Sequence, residues 1–225
     1  MLGRGVCAAM MELFKGVFED KGKLLTKNLV PGKKAYNEDT YKIEGVEYRS
    51  WNPNRSKLGA AIRNGLKTMP IKPGSKVLYL GAATGTTTSH VSDIVGEKGE
   101  VYAVEISAHS MKSLLQLCEV RQNVIPILAD AGRPQDYEEV GDIDVVFEDV
   151  AHPEQAEFMI RNARFLKKGG YGMIAIKSQS IDVTKNPKEI YARVEKELEG
   201  TFEIVERINL EPYEMGHLFL LLRKK

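Results

Sequence analysis

The chain has 225 residues, 43% of them hydrophobic, enough for one large domain or a domain with a small appendage. A formal net charge of +1 excludes a global electrostatic pull on nucleic acid, and Cys7 and Cys118, isolated and without metal-ligand spacing, exclude a disulfide framework and fit a reducing cytosol. No apolar run reaches membrane-spanning length, so the chain reads as soluble and cytoplasmic, with no membrane partner and no metal. Residues 1–10 read as a dispensable leader, because Met10 and Met11 both offer starts and Glu12 interrupts the apolar part too early for a signal peptide.

From there to residue 50 the pattern predicts a small antiparallel β subdomain. Residues 14–18, 24–26, 41–43 and 46–48 are strand-like, and glycine-bearing or charged turns separate them. The second unit, 51–225, opens with a helix whose apolar face is Leu58, Ala61, Ile62, Leu66 and Met69. Asn54 or Ser56 can cap that helix, and Pro70 and Pro73 end it. Apolar strand runs follow at 77–80, 101–106, 124–128, 145–147 and 172–176. Helical patterns lie at 88–95, 110–120, 153–166 and 187–198, and two final strand-like runs, 202–210 and 217–222, suggest an antiparallel edge. The alternation predicts an α/β fold with a mostly parallel, seven-stranded sheet covered on both faces.

The first of these strands runs straight into Gly81, Ala83 and Gly85 and then a helix, which together make a cradle for a cofactor. Glu105 ends the next strand about 20 residues on, where a carboxylate can bind a ribose diol. A tight turn with a solvated Glu is the bland alternative. Asp130 could accept from an adenine amino group or merely form an Asx turn before Arg133. Asp149 ends the fourth strand and Lys177 the fifth, while Lys57 starts the first helix and His217 the last strand; these four could converge on one reacting atom. Two stretches without acidic residues, between Glu47 and Asp93 and between Glu157 and Asp182, could form one positive face for a polyanion. The spacing of Gly81 and Gly85 departs from G-x-G-x-x-G, which counts against a nicotinamide oxidoreductase. A non-catalytic RNA-binding module and a small-molecule methyltransferase remain as alternatives.

Several motifs in order resemble fibrillarin in its archaeal form: Trp51-Asn-Pro-Asn-Arg-Ser-Lys-Leu58, Tyr79-Leu-Gly-Ala-Ala-Thr-Gly-Thr-Thr87, Asp149-Val-Ala-His-Pro-Glu-Gln155, Ile174-Ala-Ile-Lys177, and Glu211-Pro-Tyr-Glu214 followed by His217. The resemblance implies a Rossmann-like, class I methyltransferase that uses S-adenosyl-L-methionine to methylate ribose 2′-hydroxyls of rRNA and tRNA. It implies the catalytic subunit of a box C/D ribonucleoprotein, with guide RNA, target rRNA, a Nop-family scaffold and a kink-turn-binding, ribosomal-protein-like subunit as partners. By the same similarity the cofactor would contact Thr86, Thr87, Glu105, Ile106, Asp130, Ala131, Asp149, Val150, Ala151 and His152, and the catalytic set would be Lys57, Asp149, Lys177 and His217. The chain departs from the family pattern at His152, where Gln is usual, at Thr84, where Ser is common, and at Gly216, where an acid usually precedes the His. A lysine beside a positive charge gives up its proton more readily and can serve as a base, which suits the activation of a 2′-hydroxyl.

Overall fold

Glycine turns build the first sheet. In the computed structural model, which describes residues 10–225, strands β1 (Met11–Phe14), β2 (Val17–Asp20), β3 (Lys23–Lys27), β4 (Thr40–Ile43) and β5 (Val46–Ser50) pair antiparallel in the order β1-β2-β3-β5-β4. The expected single strand at 14–18 is a hairpin, because Gly16 turns the chain at φ +83°. Lys21-Gly22 and Glu44-Gly45 have positive φ at both central residues, the turn geometry whose twist matches flanking strands. The leader and Cys7 lie outside the described residues, Met10 excepted.

Helix α1 (Lys57–Arg63) starts where the Ser56 hydroxyl accepts from Gly59 N. It stops short of the expected Met69. Gly65, at φ +96°, donates to Ile62 O, and Leu66 N donates to Ala61 O, a pair of bonds that closes a helix C-terminus. Leu66 stays buried although it is outside the helix.

The larger sheet is β6 (Lys76–Leu80), β7 (Glu100–Glu105), β8 (Val124–Leu128), β9 (Ile143–Glu148), β10 (Leu166–Lys177), β11 (Phe202–Asn209) and β12 (His217–Lys224), in the order β11-β12-β10-β9-β6-β7-β8. All neighbours from β10 to β8 are parallel, and β12 runs antiparallel to β10 and β11. Pro126 sits in β8, an edge strand, where its missing donor is tolerated. The helices are α2 (Thr86–Val95), α3 (Ala108–Val120), α4 (Gln155–Asn162), α5 (Ser178–Ile181) and α6 (Pro187–Leu198). The helix expected to run to Leu166 ends earlier, because Leu166 is already paired with Ile143 in the sheet. Connections leave β6 in both directions along the sheet, so the crevice between the ends of β6 and β9 is a topological switch point, the place where such folds bind ligands.

Alternate residues of the central strands face opposite cores. Val77, Tyr79, Phe147 and Met173 share one with α1 and α2; Leu78, Leu80, Val146 and Ile174 share the other with α4 and α6. Val17, Leu24 and Trp51 belong to the first core, so the small sheet is packed into it. No helix among the described residues is long and apolar enough to cross a membrane.

Candidate active site

The cradle depends on two glycines. Gly81 leaves β6 at φ +80°, and a Cβ there would lie 3.0 Å from Asp149 O, so only glycine lets the ends of β6 and β9 stay in contact. Gly85 caps α2 at φ +92°, and a Cβ there would meet Leu117 Cδ2 at 2.6 Å. Between them Ala83, also at positive φ, donates its N–H to Glu105 Oε2 at 2.8 Å, and Ser107 N donates to Oε1 at 2.7 Å. Glu105 therefore braces the turn against the end of β7 while it lines the cavity beyond.

That cavity, 370 Å³, is bounded by Gly81, Ala83, Glu105, Ile106, Asp130, Ala131, Asp149, Val150, Ala151 and His152, with Phe158 and Lys177 added. Asp130 makes the Asx turn as well, accepting from Gly132 N at 2.8 Å. His152 Nδ1 accepts from Glu154 N at 3.1 Å, and its ring stacks on Phe158 with centroids 4.6 Å apart. Thr86 and Thr87 lie elsewhere: Thr86 borders a neighbouring cavity, and the buried Thr87 hydroxyl donates to Ser56 Oγ at 3.0 Å. A larger hollow of 620 Å³, between the first sheet and the far end of α2, holds none of the predicted residues.

At the other wall Asp149 lies between two ammonium groups. Lys177 Nζ is 2.8 Å from its Oδ1 and donates to its backbone O at 2.7 Å; Lys57 Nζ is 3.4 Å from the same Oδ1. His217 stands opposite Lys177 across the β10–β12 pairing, with ring Nδ1 donating to Met215 O at 2.8 Å. Gly216, the position without the usual acid, is held instead by its carbonyl, which accepts from the Ser178 hydroxyl at 2.9 Å.

Three participants received no role from the sequence. Glu214 lies 3.7 Å from Lys57 Nζ, a second acid for the second lysine. Gln155 is fully buried; its amide donates to Val150 O and Ala175 O, and its Oε1 accepts from Lys177 N, so it ties the turn after β9 to the end of β10. Nothing marks a Gln at a helix start as buried. Glu148 is also fully buried, with neither carboxyl oxygen hydrogen-bonded. Burial pushes its carboxyl well above the ordinary range; Lys177 opposes this and Asp149 adds to it.

The single positive face expected from the two acid-free stretches is absent, because acids from elsewhere in the chain reach most of its members. Arg49 is buried on Glu38 and Asp93 at 2.6 and 2.7 Å; Arg63 pairs with Glu19, Lys76 with Glu100, Arg161 with Glu157, Arg164 with Glu138 and Lys167 with Asp144.

Comparison with known proteins gives one direction. The family model for fibrillarin matches residues 8–225. A fibrillarin-like rRNA/tRNA 2′-O-methyltransferase of Pyrococcus furiosus is 56% identical over 218 residues, 94% of this chain and 96% of that protein. The structure of Aeropyrum pernix fibrillarin in complex with natively bound S-adenosyl-L-methionine superposes with a TM-score of 0.88 at 43% identity, covering 96% of this chain and 98% of that one. A chain of a fibrillarin/Nop5p complex does so with a TM-score of 0.83 at 40% identity, covering 94% and 98%.

Proposed function

This chain belongs to the fibrillarin family, and we infer that it is an S-adenosyl-L-methionine-dependent RNA ribose 2′-O-methyltransferase, the catalytic subunit of a box C/D ribonucleoprotein acting on rRNA and tRNA. The observation that carries the reading is Asp149, which borders the cavity and also lies between Lys177 and Lys57.

The cavity suits an adenosyl group. Glu105 offers a carboxylate to a ribose diol, Asp130 and Ala131 an edge to a base, and the stacked His152 and Phe158 an aromatic wall. Gly81, without a Cβ, leaves room at the floor. The cofactor, when bound, supplies a methyl group activated by a sulfonium. The rest falls to the chain. Lys177, held by Asp149 at its tip and by Gln155 at its backbone, is placed to take the proton of a ribose hydroxyl when it is present as the neutral amine, and Lys57 adds positive charge where the oxygen becomes anionic. Asp149 keeps both lysines in place, so that oxygen and methyl meet in one geometry. His217, opposite Lys177 but directed to its own loop, ranks last.

Target choice belongs to partners. Similarity to a chain in a fibrillarin/Nop5p complex supports a Nop-family scaffold; guide RNA and a kink-turn-binding subunit complete the particle. The test is methylation of a target RNA by the chain, with and without guide RNA, scaffold and kink-turn protein, with the product mapped. Methyl transfer to one guide-selected ribose 2′-oxygen is expected, and transfer to a base or no transfer would refute the reading. Calorimetry on Glu105→Ala should show weakened S-adenosyl-L-methionine binding; unchanged affinity would remove Glu105 from the ribose role.

A further inference from the structure

Most basic side chains of the acid-free stretches are paired, but among the described residues Arg55 of the first stretch is not, nor is Lys34, which lies outside both. Both line a cavity of 460 Å³ that no carboxylate enters. The nearby acid, Glu38, is turned away: its oxygens accept from Arg49 Nε, Ala35 N and Tyr36 N. Arg55 is also preorganised. Its guanidinium lies over the Tyr36 ring at 5.0 Å, and the Tyr36 hydroxyl is fixed on His90 Nε2 at 2.6 Å. Stacking uses the face of a guanidinium and leaves its N–H edges for a planar or tetrahedral anion. Thr84, Thr86 and Ser113 add polar groups to the wall.

The cavity adjoins the reaction centre. Arg55 is two residues before Lys57, and Ser56 between them is bonded to Thr87 in the helix that leaves the glycine turn. The cavity lined by Glu105, Asp130 and Asp149 carries carboxylates, whereas the only charged groups among the described residues lining this one are the cations Lys34 and Arg55, beside neutral polar and apolar residues. We propose that the Lys34–Arg55 cavity is a subsite for a backbone phosphate of the target RNA, next to the nucleotide whose ribose is methylated. The proposal rests on the RNA methyltransferase reading above. Arg55 supplies paired N–H donors and Lys34 a mobile ammonium, so the subsite fixes the strand's position without reading its sequence.

The test uses the assembled particle with Arg55→Ala, Lys34→Ala and the double variant. Both residues are exposed, so melting temperatures should match the parent. The double variant should raise KM for target RNA roughly tenfold, lower the log–log salt slope of RNA binding by about one to two, and leave S-adenosyl-L-methionine affinity unchanged by calorimetry. Arg55→Lys should recover part of the loss, since charge survives but the stacked fork does not. Unchanged KM and salt slope would overturn the proposal. So would a fall in cofactor affinity with unchanged RNA affinity, which would assign the cavity to the cofactor's own carboxylate. A parent particle inactive on ribose would sink the methyltransferase reading and this subsite with it; an active parent matched by the double variant sinks the subsite alone.

Discussion

Asp149 differs from a surface aspartate in being largely buried with both of its lysine partners. Its carboxylate is shared by two lysines and its backbone oxygen takes a third bond from one of them. Lys177→Ala should therefore lower the single-turnover rate by about 10²–10⁴-fold, the usual size of a general-base contribution, with cofactor binding kept. His217→Ala should cost much less, because its ring is bonded to Met215 O. Single-turnover kinetics in the assembled particle decide the ranking, and equal losses would reverse it. Glu148, one residue earlier, obeys a different logic. Its burial raises the carboxyl well above the ordinary 4.5, so the folded chain keeps a proton that the unfolded chain releases above that pH. The resulting stability is complete below 4.5 and is lost as pH rises through the raised folded value. Glu148→Gln keeps the shape and has no proton to lose. Its melting temperature should gain on the parent's as pH increases above 4.5 towards the raised folded value, and parallel pH profiles would exclude Glu148 as the titrating group.

Helix α2 connects the glycine turn to the small sheet through a buried clasp. Asp93 accepts from Arg49 at 2.7 Å, Arg121 at 2.6 Å and the Thr26 hydroxyl at 2.7 Å. One turn earlier His90 bonds Thr26 and Tyr36 and stacks on Trp51 at 4.8 Å. Asp93→Ala would leave the buried Arg121 without an acid and Arg49 with Glu38 alone, and breaking a buried pair in this way costs about 3–5 kcal/mol. Denaturant unfolding measures it; a loss under about 1 kcal/mol would mean that water solvates the arginines in the variant. None of this clasp was legible in the sequence, since Arg49, Asp93 and Arg121 lie far apart in the chain and each reads as a solvated charge. The larger sheet was legible because its buried parallel strands are continuous apolar runs, and Glu105 because one βαβ unit fixes its distance from Gly81. The end of α1 was not, because Leu66 and Met69 continue the helical period past the Gly65 stop. Gln155 escaped for a similar reason: its partners are backbone atoms of β10 and of the turn after β9, which no local pattern reveals.

Across the whole molecule the balance of charge bears on how much RNA affinity the chain has by itself. The chain carries 32 basic and 31 acidic side chains, and the structure places acids beside most of the lysines and arginines of the two acid-free stretches. Affinity for RNA from electrostatics scales with the phosphates neutralised; Lys57 and Lys177 are already held by Asp149, and the neighbouring cavity adds two unpaired cations, Arg55 and Lys34. Nor does that cavity offer a means of reading bases, so neither tight nor selective binding is built into the chain by itself. The isolated protein should therefore bind S-adenosyl-L-methionine, bind single-stranded RNA weakly with a log–log salt slope of no more than about two, and methylate free RNA poorly. Assembly with scaffold, kink-turn protein and guide RNA should steepen the slope and confine methylation to one guide-paired ribose. Fluorescence anisotropy of labelled RNA across a salt series, run beside a product-mapping assay, checks both halves. Efficient, site-selective methylation by the purified chain, or a salt slope for it as steep as the particle's, would show that the charge distribution has been misread.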